Sequence, residues 1–405
     1  MINTNAQKLF KISKTYLKPM RNVLILTDDN IVNGYLYDLH FVAKALTQQE
    51  YFVDILQSNR DSKTNMNSKF NLNYLDTNVN IFTFKLVKIR YVGWVFSILA
   101  AYKKLKKMQK SKSYDAIICY SSLFVGLPMW ISCNNPKTTL IFRLIDELSE
   151  IKSSKIQRHI VKLILKLQLQ KVDKIFTLWD GYIDYVTQIA PSSTAKCTNI
   201  DFAFDTKALR KPSEEINTFC KLHNISKDKT IACFVGVLYD FSALDEFVDS
   251  FREAWHLKNN IQVVIAGTGP KYEVLRHKIS ENNLQSNVIM TGNLNFQEIN
   301  YLLNVSHIGL NLINHRAPQN LYSAKLIQYL AAGLAVITTN NRHGQKLNSL
   351  HDTVYLVSKT SQTILHLENL LSKRNLAEDG IVESIKDTYC LERLGKKLNE
   401  EINAS

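Results

Sequence analysis

The segment Ser323-Ala324-Lys325-Leu326-Ile327-Gln328 opens an apolar stretch that closes at Gly333. If Ser323 caps a helix there, its first-turn N–H groups, the positive end of the dipole and the Lys325 ammonium form an anion site. Ala324 lies in the same turn. Such a site can hold a pyrophosphate without a metal, and Gln328, on the face of Lys325, can hydrogen-bond a sugar or ribose. Gly333 then serves as the helix stop. A surface helix with an incidental lysine is the alternative, and the position in the fold favours the anion site. Two glycine turns accompany it. Gly236-Val237-Leu238-Tyr239-Asp240 follows the run Thr230–Val235, and Gly267-Thr268-Gly269-Pro270 follows Ile261–Ala266. Glycine there lets a ligand approach the backbone closely, although the second pattern is common in α/β turns.

In the first half one carboxylate stands out. Asp146 comes just after the strand candidate Thr138–Phe142, within Arg143-Leu144-Ile145-Asp146-Glu147. A carboxylate at a strand's carboxyl end can act as a general base towards a hydroxyl; it can equally cap the helix that follows. Asp28, Asp29 and His40 are weaker candidates on the same grounds. No DxD pair near a strand end and no cluster of His and Cys is evident, so no metal or other cofactor is expected.

The elements that must place these groups are short β-branched runs alternating with helical stretches from residue 22 onward. Seven strand candidates precede residue 204 and six follow residue 229. Continuous apolar strands separated by helices imply parallel sheets covered on both faces. The expected fold is α/β, with two doubly wound Rossmann-like domains and a cleft between them. The expected boundaries are 1–205, a polar linker 206–228, a second domain 229–387 and a terminal helix 388–405. The spacing of Leu391, Leu394, Leu398 and Ile402 suits packing across the domain junction. The six cysteines are scattered without a CxxC pair and point to a reducing compartment.

Charge is divided unevenly. Residues 1–200 carry 28 Lys+Arg against 14 Asp+Glu, so the net charge of +14 belongs to the first half. That half therefore faces something anionic. Trp94, Val95, Phe96, Ile98 and Leu99 run into Lys103, Lys104, Lys106, Lys107 and Lys110. Farther on, Lys155, Arg158, His159, Lys162 and Lys166 share one helical face, and Ile156, Ile160, Leu163, Ile164 and Leu167 the other. Such helices can lie among lipid headgroups or can be ordinary surface helices with the apolar side on the core. No nucleic-acid motif accompanies the lysines. The longest apolar run, Tyr91 to Tyr102, is too short to span a bilayer, so a cytoplasmic protein peripheral to the inner face of the membrane is expected.

From Phe234-Val235-Gly236 through Ala266-Gly267-Thr268-Gly269-Pro270 to Lys325-Leu326-Ile327-Gln328, the second half resembles GT-B glycosyltransferases of the broad family-4 type. Val237 and Ser242 stand where that family places Arg and Lys, and Gln328 stands where it has the second glutamate of its EX7E motif. The chain is closer to the xanthan-type glucuronosyltransferases of family 70, which share Ser-x-Lys-Leu-x-Gln-Tyr (Ser323 to Tyr329), Arg-x-x-Asp (Arg143, Asp146) and Gly-x-x-x-x-Asp (Gly236, Asp240). Their donor-contacting acidic residue falls at Asn293. The resemblance implies an inverting, metal-independent transfer from a UDP-sugar, UDP-glucuronate being one candidate, to a lipid-linked saccharide in surface polysaccharide biosynthesis. Asp146 would be the base. Gly236, Leu238, Tyr239, Gly267, Asn293, Ser323, Ala324, Lys325 and Gln328 would line the donor site. Asp29, His40, Arg143, Trp94, Phe96, Lys103, Lys104 and Lys107 would lie on the acceptor or membrane side. Rival readings are a retaining family-4-like transferase, a sugar-nucleotide epimerase, and a degenerate protein that binds glycan or lipid without turnover.

Overall fold

The computed structural model describes residues 21–31, 38–59, 74–87, 93–120, 123–132, 136–150, 154–209, 214–318, 320–371 and 379–404. Two wholly parallel sheets organise the chain. The first has the order β3-β2-β1-β4-β5-β6-β7, built from Arg21–Leu26 (β1), Tyr51–Ser58 (β2), Val79–Phe84 (β3), Ala116–Tyr120 (β4), Thr139–Leu144 (β5), Lys174–Thr177 (β6) and Cys197–Asn199 (β7). Helices Asp38–Thr47 (α1), Gly93–Ser111 (α2), Leu123–Ser132 (α3), Lys155–Lys171 (α4) and Asp180–Ile189 (α5) connect them.

The second sheet has the order β10-β9-β8-β11-β12-β13: Thr230–Val235 (β8), Ile261–Ala266 (β9), Val288–Gly292 (β10), Ile308–Asn311 (β11), Ala335–Thr339 (β12) and Val354–Val357 (β13). Its helices are Glu215–Leu222 (α6), Leu244–Glu253 (α7), Tyr272–Glu281 (α8), Phe296–Val305 (α9), Ala324–Ala331 (α10), Arg342–Asn348 (α11), Gln362–Leu371 (α12) and Asp379–Thr388 (α13). Central strands such as β9 are buried along their whole length, which is why they read as unbroken apolar runs. In each sheet the order reverses once, between β1 and β4 and between β8 and β11. Those two switch points open crevices at the strands' carboxyl ends.

The last helix, Leu391–Asn403 (α14), returns to the first domain. Leu394, Leu398 and Ile402 join the apolar cluster of Val23, Ile25 and Leu46, each contributing about 2 kcal/mol by burial. Asn399 accepts from the Tyr51 hydroxyl at 2.9 Å. Gly395 lets the helix close in: a Cβ there would lie 2.7 Å from the Ala45 carbonyl oxygen. Aromatic rings also cross between the domains, with Phe296 of α9 lying 6.3 Å from Phe41 and 5.8 Å from Tyr74.

Two side chains expected on the acceptor or membrane side are internal instead. Arg143 is fully buried and grips Asp38 with Nε at 2.5 Å and Nη2 at 2.6 Å, while Nη1 donates to the Ile200 carbonyl at 3.1 Å. It ties β5 to α1 and cannot meet a membrane, because an arginine buried this deeply is kept there by its carboxylate partner. His40 is likewise buried, its Nε2 3.1 Å from the Ile31 carbonyl oxygen.

Candidate active site

The donor side is assembled where β8, β9 and β11 end. Gly236 (φ 143°) and Gly267 (φ 136°) adopt backbone conformations that favour glycine. The two turns also touch: a Cβ on Gly267 would lie 1.9 Å from the Gly236 carbonyl oxygen. Helix α10 is set over this floor by Tyr329. Its ring covers Gly309 of β11, and its hydroxyl accepts the Val235 N–H at 2.9 Å. At the other end Gly333 (φ 71°) closes the helix, with the Leu334 N–H reaching the Tyr329 carbonyl at 3.0 Å.

Ser323 occupies the N-cap position, but its hydroxyl does not cap. It donates to Asn311 Oδ1 at 3.0 Å, because that buried amide on β11 is within reach. The Ser323 N–H donates to His343 Nδ1 at 3.1 Å; burial pushes His343 down to about 3, with Lys346 adding to the effect, so the ring is neutral and can accept. Among the described residues, the first-turn amides of Ala324 and Lys325 find no hydrogen-bond acceptor, which leaves them for a ligand. The Lys325 ammonium lies 4.2 Å from the Phe234 ring centroid and against Gly236, where an added Cβ would be 3.1 Å away. Burial pushes its pKa down to about 8 with no carboxylate offsetting it. A half-buried cation without an anion, beside free helix amides, suits a diphosphate.

A cavity of about 250 Å³ lies beside this point. Gly236, Gly267, Thr268, Asn293 and Gln328 line it from the second domain, and Phe41 closes it from the first. Asn293 is held by the Thr268 hydroxyl, which donates to its Oδ1 at 2.9 Å. Leu238 departs from expectation. Its side chain is in the core, its N–H donates to the Thr268 carbonyl and its own carbonyl accepts the Lys271 N–H, so neither its side chain nor its N–H is open to a donor. Tyr239 is half-exposed and stacks on Phe241 at 4.9 Å.

Across the cleft, Asp146 follows β5. Helix α4 begins only at Lys155, with Ser154 at its N-cap, so Asp146 does not cap it. Its carboxyl is pushed up to about 6 by burial, then by Asp29 and Glu147. Asp29 is exposed at the end of β1. The Tyr239 hydroxyl is raised by burial and then by Asp146 and Asp29, so this tyrosine of the second domain lies within electrostatic reach of both carboxylates. Glu147 and Asn320, which sequence reasoning missed, pair across the domains at 2.8 Å. The adjacent Asp-Glu was the only signal, and the partner is 173 residues away.

The basic half presents an apolar surface. On α4 the buried side chains are Val161, Leu165, Gln168 and Leu169, whereas Ile156, Ile160, Leu163 and Leu167 are exposed, Ile156 by 73%. Val95, Phe96 and Leu99 of α2, and Trp130 and Ile131 of the α3 between, are exposed too. Lys103 and Lys107 are exposed, and Lys104 lies over Phe82 at 5.5 Å. The Trp94 side chain lies outside the described residues. Among those described, no helix is long and apolar enough to cross a membrane.

Residues 216–384 match the family model of glycosyl transferases group 1. No curated protein matches the chain. Solved structures do. Sucrose-phosphate synthase from Thermosynechococcus elongatus is 11% identical, with a TM-score of 0.75, covering 95% of this chain and 98% of its own. The Anabaena protein Alr3699/HepE in complex with UDP-glucose is also 11% identical at a TM-score of 0.75, covering 95% and 100%. WaaG, a glycosyltransferase involved in lipopolysaccharide biosynthesis, is 12% identical at a TM-score of 0.65, covering 95% and 100%. The chain therefore has the GT-B fold and carries a glycosyl transferases group 1 domain in its second half, which makes it an enzyme of the glycosyltransferase class.

Proposed function

We propose that the protein transfers a sugar from a UDP-sugar to a lipid-linked saccharide at an anionic membrane surface, with inversion at the transferred carbon. The observation that carries this reading is a pair of groups at the carboxyl ends of the two sheets: Asp146, just after β5, and Lys325, in the first turn of α10 against Gly236. The α10 amides and Lys325 hold the donor's diphosphate and stabilise the charge that grows on it as the sugar leaves. Asp146 takes the acceptor hydroxyl's proton. The acceptor oxygen forms its bond to the sugar carbon from the side opposite the departing diphosphate. The raised carboxyl suits a base that works near neutral pH.

A uridine donor is supported by the complex of the Anabaena neighbour with UDP-glucose. Glucuronate rests on the xanthan-type motifs alone. Support for the lipid-linked acceptor comes from the outward apolar stripe of α4 and its flanking lysines, which suit anionic headgroups, and from the neighbour involved in lipopolysaccharide biosynthesis. The test is transfer from UDP-glucose or UDP-glucuronate to a phytanyl-diphosphate oligosaccharide in phosphatidylglycerol vesicles, with the product's anomeric configuration read by NMR. Inversion that Asp146→Asn abolishes is the expected result. Retention would favour the family-4-like mechanism, and donor binding without turnover a degenerate protein.

A further inference from the structure

Asn320 lies in the loop between β11 and α10, and each of its polar groups is engaged. Its N–H and side-chain NH2 donate to the two carboxylate oxygens of Glu147 at 3.2 and 2.8 Å. Its carbonyl accepts the Trp179 indole N–H at 3.1 Å, and its side-chain oxygen accepts from Arg342 at 3.1 Å. Glu147 and Trp179 belong to the first domain. Glu147 and Asn320 are each only 4% exposed. Two residues on, the Tyr322 N–H donates to the Tyr182 hydroxyl at 3.4 Å, and Ser323 is held by His343. No helix or strand holds residues 320–323; side chains largely do, and three of them, Glu147, Trp179 and Tyr182, come from the opposite domain. This loop runs directly into Lys325, and Glu147 is the neighbour of Asp146.

We infer that Glu147 is a positioning residue: through Asn320 it sets the Lys325 anion site against Asp146, so the two halves of the active site reach working distance only when this pair is latched. The inference rests on the transfer reading above. A carboxylate suits the place because Asn320 offers it two donors, and an acceptor-only group satisfies both with charge-assisted bonds. Misplacement of reacting groups by about 1 Å costs on the order of a hundredfold in rate.

The test is an exchange of the two functional groups. Glu147→Gln turns an amide NH2 towards the Asn320 NH2, and Asn320→Asp sets two carboxylates face to face. In the double variant the new amide donates to the new carboxylate, its oxygen still accepts the 320 backbone N–H, and Arg342 still finds an acceptor. Two quantities are followed in each protein: hydrogen exchange of the amides at 320, 322 and 323, and kcat and KM for donor turnover. We expect both single variants to exchange those amides roughly tenfold faster and to lose about tenfold or more in kcat, with donor KM changed less than about threefold. The double variant should return to within about threefold of the unaltered protein in both. Single variants with unchanged exchange and kcat, or a double variant no better than either single one, would overturn the inference. If the unaltered protein turns over no donor, the transfer reading falls, and exchange at the three amides still decides whether the pair is a latch.

Discussion

Replacing Lys325 by methionine should make the protein more stable while weakening its donor site. Burial lowers the Lys325 ammonium from 10.5 to about 8. The shift, at about 1.36 kcal/mol per pH unit, has an upper bound near 3.4 kcal/mol; because the residue is only half-buried, about 2 kcal/mol is the better figure. The sign follows from linkage. A lysine depressed in the folded state adds stability only above its unfolded value, and that contribution is lost as pH falls through about 8. At pH 7 the protein therefore carries the whole cost of a charged, unpaired ammonium. Methionine fills similar space without it. Urea unfolding at pH 7 should show Lys325→Met more stable by about 2 kcal/mol, a difference that shrinks between pH 8 and pH 10.5. UDP should raise the midpoint of the parent protein by more than it raises that of the variant. A variant less stable at pH 7, or stabilised by UDP as much as the parent, would refute the reasoning.

Other outcomes follow from the same geometry. Asp146→Asn should lower transfer by about 10²–10⁴-fold and spare donor binding, while kcat/KM of the parent falls as pH drops through about 6, where the carboxylate takes up its proton. Asp29→Asn, by removing a charge that raises Asp146, should move that limb to lower pH. Gly267→Ala forces a Cβ to within 1.9 Å of the Gly236 carbonyl oxygen at φ 136° and should cost more than about 2 kcal/mol in denaturant unfolding. Ile160→Glu combined with Leu163→Glu should abolish flotation with phosphatidylglycerol vesicles without lowering the thermal midpoint, since both side chains are exposed; a lowered midpoint would mean that the stripe packs against protein.

What the sequence made legible is what packing repeats along the chain. Ile261–Ala266 and Ala335–Thr339 are strands from end to end, because burial on both faces leaves a continuous apolar run. At the sheet edge the reading weakens: the run Cys197–Ala203 pairs only as Cys197–Asn199, with β6 as its one neighbour. Helix α4 carries two apolar stripes, and periodicity alone does not say which one the core takes; Val161, Leu165 and Leu169 are inside and the longer stripe is out. Positions at strand ends, such as Asp146 and Gly236, were readable from order along the chain. Partners were not. The Asp38 that buries Arg143, the Asn311 that takes the Ser323 hydroxyl and the Asn320 opposite Glu147 are distant in sequence, and nothing local announces them.

Calorimetric titration of the purified protein with UDP, UDP-glucuronate, UDP-glucose and GDP-mannose, repeated on Lys325→Ala, bears most directly on the anion site around which the rest is built. Binding confined to the uridine ligands, and weakened about tenfold or more by the substitution, is the predicted result. Failure of all four to bind, or binding that Lys325→Ala leaves unchanged, would contradict it.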